Sequence, residues 1–305
     1  MSGKVYAQLY SLLKTNQTRS VEVLRQMSEI GYDGVELMGS NTCGMTTEEY
    51  RRYIREELRL DPISSHNLTT EADFAWAQEM GIRHSDIRAD LGDGSYDAVM
   101  AACEEMNRQG KIRAAYGIGA VLHNHSQEFR WVTDRENDGM RVYDLLLQNT
   151  DPDYVNFELD VGWCAFSGRD PVKYVEKYPG RFPLVHVKEA LRTAYSDEEL
   201  EHFPPDVLTL GEPIRPLNPK AAKTGFLADI CFFTEEQAAI MYWSRHWNGR
   251  LGDGIIDWKK LSDALERQGV EAYICEREYF SYEGGGDAYI CAKQDHDYLR
   301  KLLNN

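Results

Sequence analysis

The sequence predicts an α/β protein folded as a closed (β/α)8 TIM barrel, with residues 1–305 forming a single domain. Short runs rich in β-branched residues alternate with longer amphipathic segments from end to end, which is the pattern of a parallel sheet. Eight such strand–helix units favour a closed barrel over an open sheet. The length of 305 residues and the hydrophobic content of 42% suit one large domain of this kind.

Eight strands can be placed along the chain from short hydrophobic runs. They are Val5–Tyr10, Gly34–Met38, Pro62–His66, His84–Arg88, Ala120–His125, Val155–Asp160, Leu184–Lys188 and Ala272–Glu276. The helices between them have recognisable ends. Ser20 can cap the first helix, which Gly31 ends, and Asp170 precedes a proline at the first position of another helix. Asp257 can likewise cap the helix before the last strand.

One interval, from Ala190 to about Gly249, is a long insertion between the seventh strand and its helix. It is rich in proline and aromatic residues, and Thr234 with Gln237 forms a capping box at the start of a predicted helix. A loop of this length in a compact domain is usually functional or disordered, and the aromatic residues favour order. We expect this 190–249 insertion to act as a lid, a substrate wall or a subunit contact on the rim of the barrel. The alternative is an excursion that packs only on itself.

The composition excludes several classes of protein. A net charge of −16 and a pI near 5.0 argue against nucleic acid or an anionic membrane as the main partner. No run reaches the roughly 18 apolar residues of a transmembrane helix, and the N-terminus reads as a first strand instead of a signal sequence. The six cysteines are scattered without a CxxC pair, as expected for reduced thiols. We therefore expect a cytoplasmic protein.

Four residues, Glu128, Asp160, His186 and Glu276, lie at or just past the ends of the last four predicted strands. In a (β/α)8 barrel the C-terminal strand ends converge on one rim, so four distant segments would meet at one point. Three carboxylates and one imidazole are suitable ligands for a divalent cation. The pattern predicts a metalloenzyme. The structural alternative for each residue is a buried side chain held by an arginine or a hydrogen bond.

Two of these ligand assignments have a neighbouring rival. Glu158 competes with Asp160, and Glu278 competes with Glu276. Residues two apart in a strand share a face, so alternation does not choose within either pair.

The segments around these residues resemble the sugar isomerase/epimerase superfamily with the xylose-isomerase-like barrel. The segments are VLHNHSQEF, FELDVGW, LVHVKEA and AYICERE, and GDGIIDW at Gly252–Trp258 is similar to the glycine-rich turn of that family. Its relatives include ketose 3-epimerases, inosose dehydratases and lyases that act on 3-keto-glycosides. The resemblance implies that Glu128, Asp160, His186 and Glu276 bind Mn²⁺, or Mg²⁺, Co²⁺ or Zn²⁺ in the same site.

A cation held in this way would stabilise the enediolate formed when a proton is removed next to a sugar carbonyl. Such a step needs a base with a pKa tuned towards neutrality. The resemblance implies Glu128 and Glu276 as the bases of an epimerase. In related eliminating enzymes a histidine or lysine near the metal takes this role, and His123, His125, Lys188 and His66 are the candidates here.

Further candidate substrate contacts are Glu36 near the end of the second strand, His66 at the end of the third and Asp253 in the glycine-rich turn. For Glu36, a structural role in which the side chain only holds its neighbours in place is the alternative.

The function predicted from the sequence is a metal-dependent isomerase or epimerase of a keto-sugar. A lyase that expels the aglycone from a 3-keto-glycoside is the close alternative, because both reactions start from the same enediolate. A sugar-binding barrel without activity is the alternative from another class. We expect an unphosphorylated sugar or glycoside as the partner. We also expect a homo-oligomer, or a hetero-oligomer with a small second subunit.

Overall fold

Eight parallel strands close into a barrel in the computed structural model, which describes residues 3–10, 12, 20–135, 138–194, 247–277 and 288–304. The barrel strands are β1 (Val5–Gln8), β2 (Gly34–Met38), β3 (Asp61–His66), β4 (His84–Ile87), β5 (Gly119–His123), β6 (Val155–Asp160), β7 (Leu184–Val187) and β10 (Ala272–Cys275). Two short strands, β8 (Glu189–Ala190) and β9 (Asn248–Gly249), pair antiparallel with each other. Neighbours in the barrel follow chain order, and β10 pairs with β1 to close it. The predicted (β/α)8 barrel is confirmed.

Helices alternate with the strands as the sequence predicts. They are α1 (Ser20–Ile30), α2 (Thr47–Arg52), α3 (Glu71–Met80), α4 (Tyr96–Ala114), α5 (Val142–Asn149), α6 (Val161–Phe166), α7 (Pro171–Lys177), α8 (Trp258–Gln268) and α9 (Ala288–Leu303). Asp170 and Asp257 are the N-caps of α7 and α8, as predicted. Ser20 is the first residue of α1 instead of its cap, a difference of one position. None of the helices in the described ranges combines the length and apolarity that a bilayer-spanning segment needs.

The interior of the barrel is apolar in the middle and polar at both ends. The middle is filled by buried side chains that form their own cluster, namely Tyr6, Ile63, Val121, Leu184, Ala272 and Ile274. Residues two positions further along the same strands, such as His123, His186 and Glu276, share the inward face. They therefore lie one layer closer to the C-terminal end of the barrel.

At the N-terminal end of the barrel, Asp61 at the start of β3 is the centre of a charged network. Its carboxylate accepts hydrogen bonds from the Tyr6 hydroxyl at 2.9 Å, from Arg83 at 3.0 Å and from Arg55 at 3.1 Å. Beside it, a ring nitrogen of His84 lies 3.2 Å from a carboxylate oxygen of Glu271. These contacts tie the beginnings of β1, β3, β4 and β10 together.

The two ends of the 190–249 insertion lie next to each other, because β8 and β9 are paired. Glu189 in β8 is fully buried, and its carboxylate accepts hydrogen bonds from Gly252 N–H at 2.9 Å and from the Trp258 indole at 2.5 Å. A side chain at Gly254 would come within 2.2 Å of the Ala190 carbonyl, so glycine is required there. The predicted helix at Thr234 lies outside the described residues, and the role of the insertion stays a prediction.

Candidate metal centre

Three of the four predicted ligands meet at the C-terminal ends of adjacent strands. Asp160 ends β6, His186 lies in β7, and Glu276 directly follows β10. His123, at the end of β5, joins them, and one donor atom from each of these four residues lies within 4.8 Å of the other three. Two imidazoles and two carboxylates form a donor set that fits a divalent cation such as Zn²⁺ or Mn²⁺. We call His123, Asp160, His186 and Glu276 the rim group.

The structure brings His123, and not Glu128, to the other predicted ligands. Strand β5 ends at His123, and Glu128 lies in a following 3₁₀ turn at Gln127–Phe129. One carboxylate oxygen of Glu128 accepts the backbone N–H of His125 at 2.8 Å, and the other accepts the Gln127 side chain at 3.1 Å. The carboxylate is thus turned back onto its own loop. Burial raises the pKa of Glu128 to about 7.

Lys188 lies two residues beyond His186, and its side chain is completely buried. Its Nζ is 2.9 Å from Oδ2 of Asp160 and 2.8 Å from Oε2 of Glu276. Oδ2 of Asp160 still lacks an aligned hydrogen bond from any described residue, so the lysine contact is electrostatic in nature. Burial alone would raise the pKa of Glu276, but the charges of Lys188 and His186 hold it well below its usual value. The two carboxylates of the rim group therefore already attract a cation.

A second set of buried polar residues lies beneath the rim group, and we call Glu36, His66 and Glu158 the deep group. Nε2 of His66 is 2.9 Å from Oε2 of Glu158 and 3.2 Å from Oε1 of Glu36. Both carboxylates are fully buried. His123 and His186 contact this deep group as well as the rim group. The rivals Glu158 and Asp160 thus both face the barrel interior, one layer apart.

The charges in the deep group compensate one another. Burial alone would lower the pKa values of His66 and His186, but the carboxylates of Glu36 and Glu158 raise both well above the usual value. In return, the two imidazoles hold the pKa of Glu158 well below its usual value, although burial opposes this. The charged forms of His66, His186 and Glu158 therefore stabilise one another.

Asp160 is held in place by Asn124, which sequence reasoning missed. The Asn124 side chain accepts the backbone N–H of Asp160 at 3.0 Å and donates to its carbonyl at 3.2 Å. The Tyr143 hydroxyl donates to the same amide oxygen at 3.1 Å. Asp160 also caps α6, because its Oδ1 accepts the Trp163 N–H at 2.8 Å. In the sequence, the position of Asn124 between the candidate site residues His123 and His125 could have indicated its role.

Gly162, the glycine of the DVGW segment at the end of β6, lies where the chain packs closely against Lys188. A side chain at this position would come within 2.7 Å of the Lys188 carbonyl and 2.8 Å of its Cβ. Glycine therefore lets α6 approach the end of β7 closely. The neighbouring Trp163 ring lies 5.7 Å from Nζ of Lys188 and 5.4 Å from the His125 ring, so it forms one wall beside the rim group.

Of the remaining predicted site residues that the structure describes, three lie in or beside the two groups and one lies apart from them. Glu36 and His66 belong to the deep group, and the His125 ring lies 4.9 Å from the His123 ring. Asp253 is exposed in the turn before α8 and does not join either group of described residues. Burial raises the pKa of Tyr298 on α9, and the negative charges of Glu189 and Asp253 raise it further. Glu278 lies outside the described residues.

Comparison with known proteins supports the fold. No family model matches the chain. Inosose dehydratase of Lacticaseibacillus casei is 25% identical over 172 residues, which cover 55% of this chain and 43% of that protein. The match thus spans less than half of the relative's length.

Solved structures cover the whole barrel. A crystal structure of a sugar phosphate isomerase/epimerase from Parabacteroides distasonis superposes with a TM-score of 0.69 at 21% identity and covers 98% of each chain. The crystal structure of the IolI protein with a bound zinc atom gives a TM-score of 0.64 at 12% identity, again over 98% of each chain. The chain therefore has the (β/α)8 barrel fold of these solved structures, as its sequence predicts.

Proposed function

We propose that this chain is a divalent-metal-dependent enzyme that removes a proton next to the carbonyl of a keto-sugar. The observation that carries the proposal is the rim group, where four donors from four strands lie within 4.8 Å of one another. The names of the similar proteins, a sugar phosphate isomerase/epimerase and an inosose dehydratase, support a sugar-like substrate. Isomerisation or epimerisation is the leading reaction.

His123, Asp160, His186 and Glu276 would hold the cation. The mixed imidazole and carboxylate donors fit Mn²⁺, Zn²⁺, Co²⁺ or Mg²⁺. When bound, such an ion supplies Lewis acidity that polarises the carbonyl and stabilises the charge that develops on its oxygen.

Two residues of the chain are suited to move the proton. Lys188 presents a buried ammonium group beside Asp160 and Glu276, and Trp163 limits access of water to it on one side. Glu128 has a pKa of about 7, so at neutral pH it is present in both protonation states, as an acid–base catalyst requires. Lys188, which contacts the rim group, is therefore the proposed acid. Glu128 is the proposed base on its pKa alone, and it would have to turn its carboxylate away from its own loop to act.

Elimination is the second candidate reaction, and the similarity to inosose dehydratase favours it. Both reactions begin with the same proton abstraction, and they differ in whether the enediolate is reprotonated or expels a group β to the carbonyl. An unphosphorylated sugar or glycoside is the proposed substrate. Assembly into an oligomer, the role of the 190–249 insertion and a cytoplasmic location stay predictions.

The test is incubation of the Mn²⁺-loaded protein with free keto-sugars and 3-keto-glycosides in D₂O. Deuterium incorporation without bond cleavage would identify an isomerase or epimerase. Release of water or of the aglycone would identify a lyase. The His186→Ala variant is the control, because it lacks a ligand, and it should do neither. If the wild-type protein also does neither with any of these substrates, the proposed enzymatic function is wrong.

A further inference from the structure

Lys188 and Glu276 are each followed in the chain by a buried charged residue. Nζ of Lys188 lies 2.8 Å from Oε2 of Glu276 inside the barrel. Glu189 follows the lysine and Arg277 follows the glutamate, and both are buried. Successive side chains of an extended chain lie on opposite faces, so these two point away from the site. What Glu189 and Arg277 bind therefore decides how the backbone of the site residues is held.

Glu189 binds the turn between β9 and α8, residues 251–258. Its carboxylate accepts the backbone N–H groups of Gly252 at 2.9 Å and Ile256 at 3.4 Å. It also accepts the indole N–H of Trp258 at 2.5 Å. Among the described residues, every hydrogen bond to this carboxylate comes from a neutral N–H group. Glu189 thus fixes the turn near both of its ends.

Arg277 reaches the same 251–258 turn through Asp295 of α9. Nε of Arg277 donates to Oδ2 of Asp295 at 2.9 Å, and a second guanidinium nitrogen binds Oδ1. Oδ1 of Asp295 also accepts the Leu251 N–H at 3.4 Å, at the start of the turn. The Arg277 and Asp295 side chains are only 7% and 4% exposed, so water competes little for these bonds. The chain segments that follow β7 and β10 are therefore joined by one turn.

The 251–258 turn fits closely between its neighbours. A Cβ at Gly254 would lie 2.4 Å from Oε1 of Glu189. A Cβ at Gly252 would lie 2.5 Å from the ring of Tyr298 on α9. The turn therefore has little room to shift while the Glu189 carboxylate and α9 stay in place.

We propose that Glu189 and Asp295 are positioning residues that set the place of Lys188 through this turn. A displacement of the turn would move the segment after β7 relative to the segment after β10. The Lys188 ammonium group would then move relative to the Glu276 carboxylate. A misplacement of about 1 Å can cost roughly 100-fold in rate. This inference rests on the proposed role of Lys188 as the acid.

The test observes the Lys188 ammonium group directly, by ¹H–¹⁵N correlation NMR of the lysine side chains in protein without added metal. Lys188→Met identifies the signal by its loss. Glu189→Gln presents an NH₂ group to N–H donors, so the turn should shift and the Lys188 signal should move or broaden. Trp258→Phe removes one donor and should move the same signal less, and it replaces Glu189→Gln in the test if that variant does not fold.

A matched control separates positioning from a general loss of stability. Asp61→Asn makes the same carboxylate-to-amide change in the network at the N-terminal end of the barrel. It should lower stability but leave the Lys188 signal in place. An unmoved Lys188 signal in folded Glu189→Gln and Trp258→Phe proteins, or an equal movement in Asp61→Asn, would overturn the proposal.

Kinetics provide the second readout. Glu189→Gln and Asp295→Asn should each lower kcat by about 10- to 100-fold at constant KM, because the proton-transfer group and not the substrate is displaced. A raised KM with unchanged kcat would overturn the positioning role. The spectra need no substrate, so a wild-type protein inactive with every sugar would refute the proposed function and leave the placement of Lys188 by Glu189 standing.

Discussion

The two ends of the barrel both carry charged networks, but the groups that neutralise Asp61 at one end differ from those that neutralise Asp160 and Glu276 at the other. At the N-terminal end, Asp61 is neutralised by the guanidinium groups of Arg55 and Arg83, which do not lose their protons. At the C-terminal end, the carboxylates of Asp160 and Glu276 face Lys188 and histidines, whose protons can leave. Fixed charge suits a structural role, whereas exchangeable charge suits a site that takes up a cation and moves protons.

The largest difference between the two ends should appear when a histidine is removed from each. His186→Ala takes a ligand from the rim group and a partner from the deep group, so metal binding should be lost. Turnover should fall about a thousandfold or more, since the ion supplies several kcal/mol of transition-state stabilisation. Metal content and kcat measure this effect. His84→Ala at the N-terminal end is the control and should keep both, while an active, metal-loaded His186→Ala protein would contradict the site.

Replacing the buried lysine tests whether its charge is exchangeable. Lys188→Met should lower kcat by about 10²- to 10⁴-fold, the usual contribution of an acid–base group. Metal affinity should rise at the same time, because no ammonium group then competes for Asp160 and Glu276. Titration with Co²⁺, followed by its visible absorption, measures the affinity. Unchanged turnover together with weaker Co²⁺ binding would show that the lysine only supports the fold.

The pKa of Glu128 leads to a prediction about pH and stability. Because burial raises this pKa from 4.5 to about 7 in the folded protein, the native state holds a proton that the unfolded chain releases earlier. Stability is therefore lost as pH rises from about 4.5 to 7, by an amount on the order of 3 kcal/mol. Glu128→Gln lacks this ionisation. Its free energy of unfolding relative to the wild type should increase between pH 5 and pH 8 in urea titrations.

The same variant tests the proposed role of Glu128 in catalysis. In the wild type, kcat/KM should rise with pH around an apparent pKa near 7, and Glu128→Gln should lose this limb of the profile. A variant that keeps the limb would place the base elsewhere.

The smallest effect is expected at the N-terminal end. Asp61→Asn weakens the contacts with Arg55 and Arg83 and should lower the free energy of unfolding by about 1–3 kcal/mol. Turnover and metal affinity should not change, because the network lies at the opposite end of the barrel from the rim group. A loss of activity that exceeds the loss of folded protein would show that the two ends are coupled.

The strands were predictable from the sequence because their hydrophobic pattern is local. Each predicted strand agrees with the observed one to within two residues at either end. Asp160, His186 and Glu276 could be predicted as site residues because they lie at strand ends. An error of one or two residues in a strand boundary does not change that position. The inward faces of β6 and β7 were likewise set by alternation.

The fourth member of the rim group was not predictable in the same way. Whether His123 or Glu128 reaches the other ligands depends on where β5 ends and how the chain turns afterwards. That turn is fixed by the Asn124 amide, which bonds to the backbone of β6, a contact between segments distant in sequence. The turn that carries Asp253 is likewise held by a distant residue, because the buried carboxylate of Glu189 accepts hydrogen bonds from Gly252 and Trp258. The predicted role of Asp253 in substrate binding stays a prediction.

The pairing of β8 with β9 has a consequence for how such proteins diversify. The chain leaves and re-enters the barrel at adjacent points, so the intervening segment spans almost no distance. The entropy of closing a loop grows slowly with length, by about 0.6 kcal/mol for each doubling. Segments of very different size can therefore be exchanged at this junction at little thermodynamic cost. Substrate selectivity can then change in the exchanged segment while the eight barrel strands and their site residues stay the same.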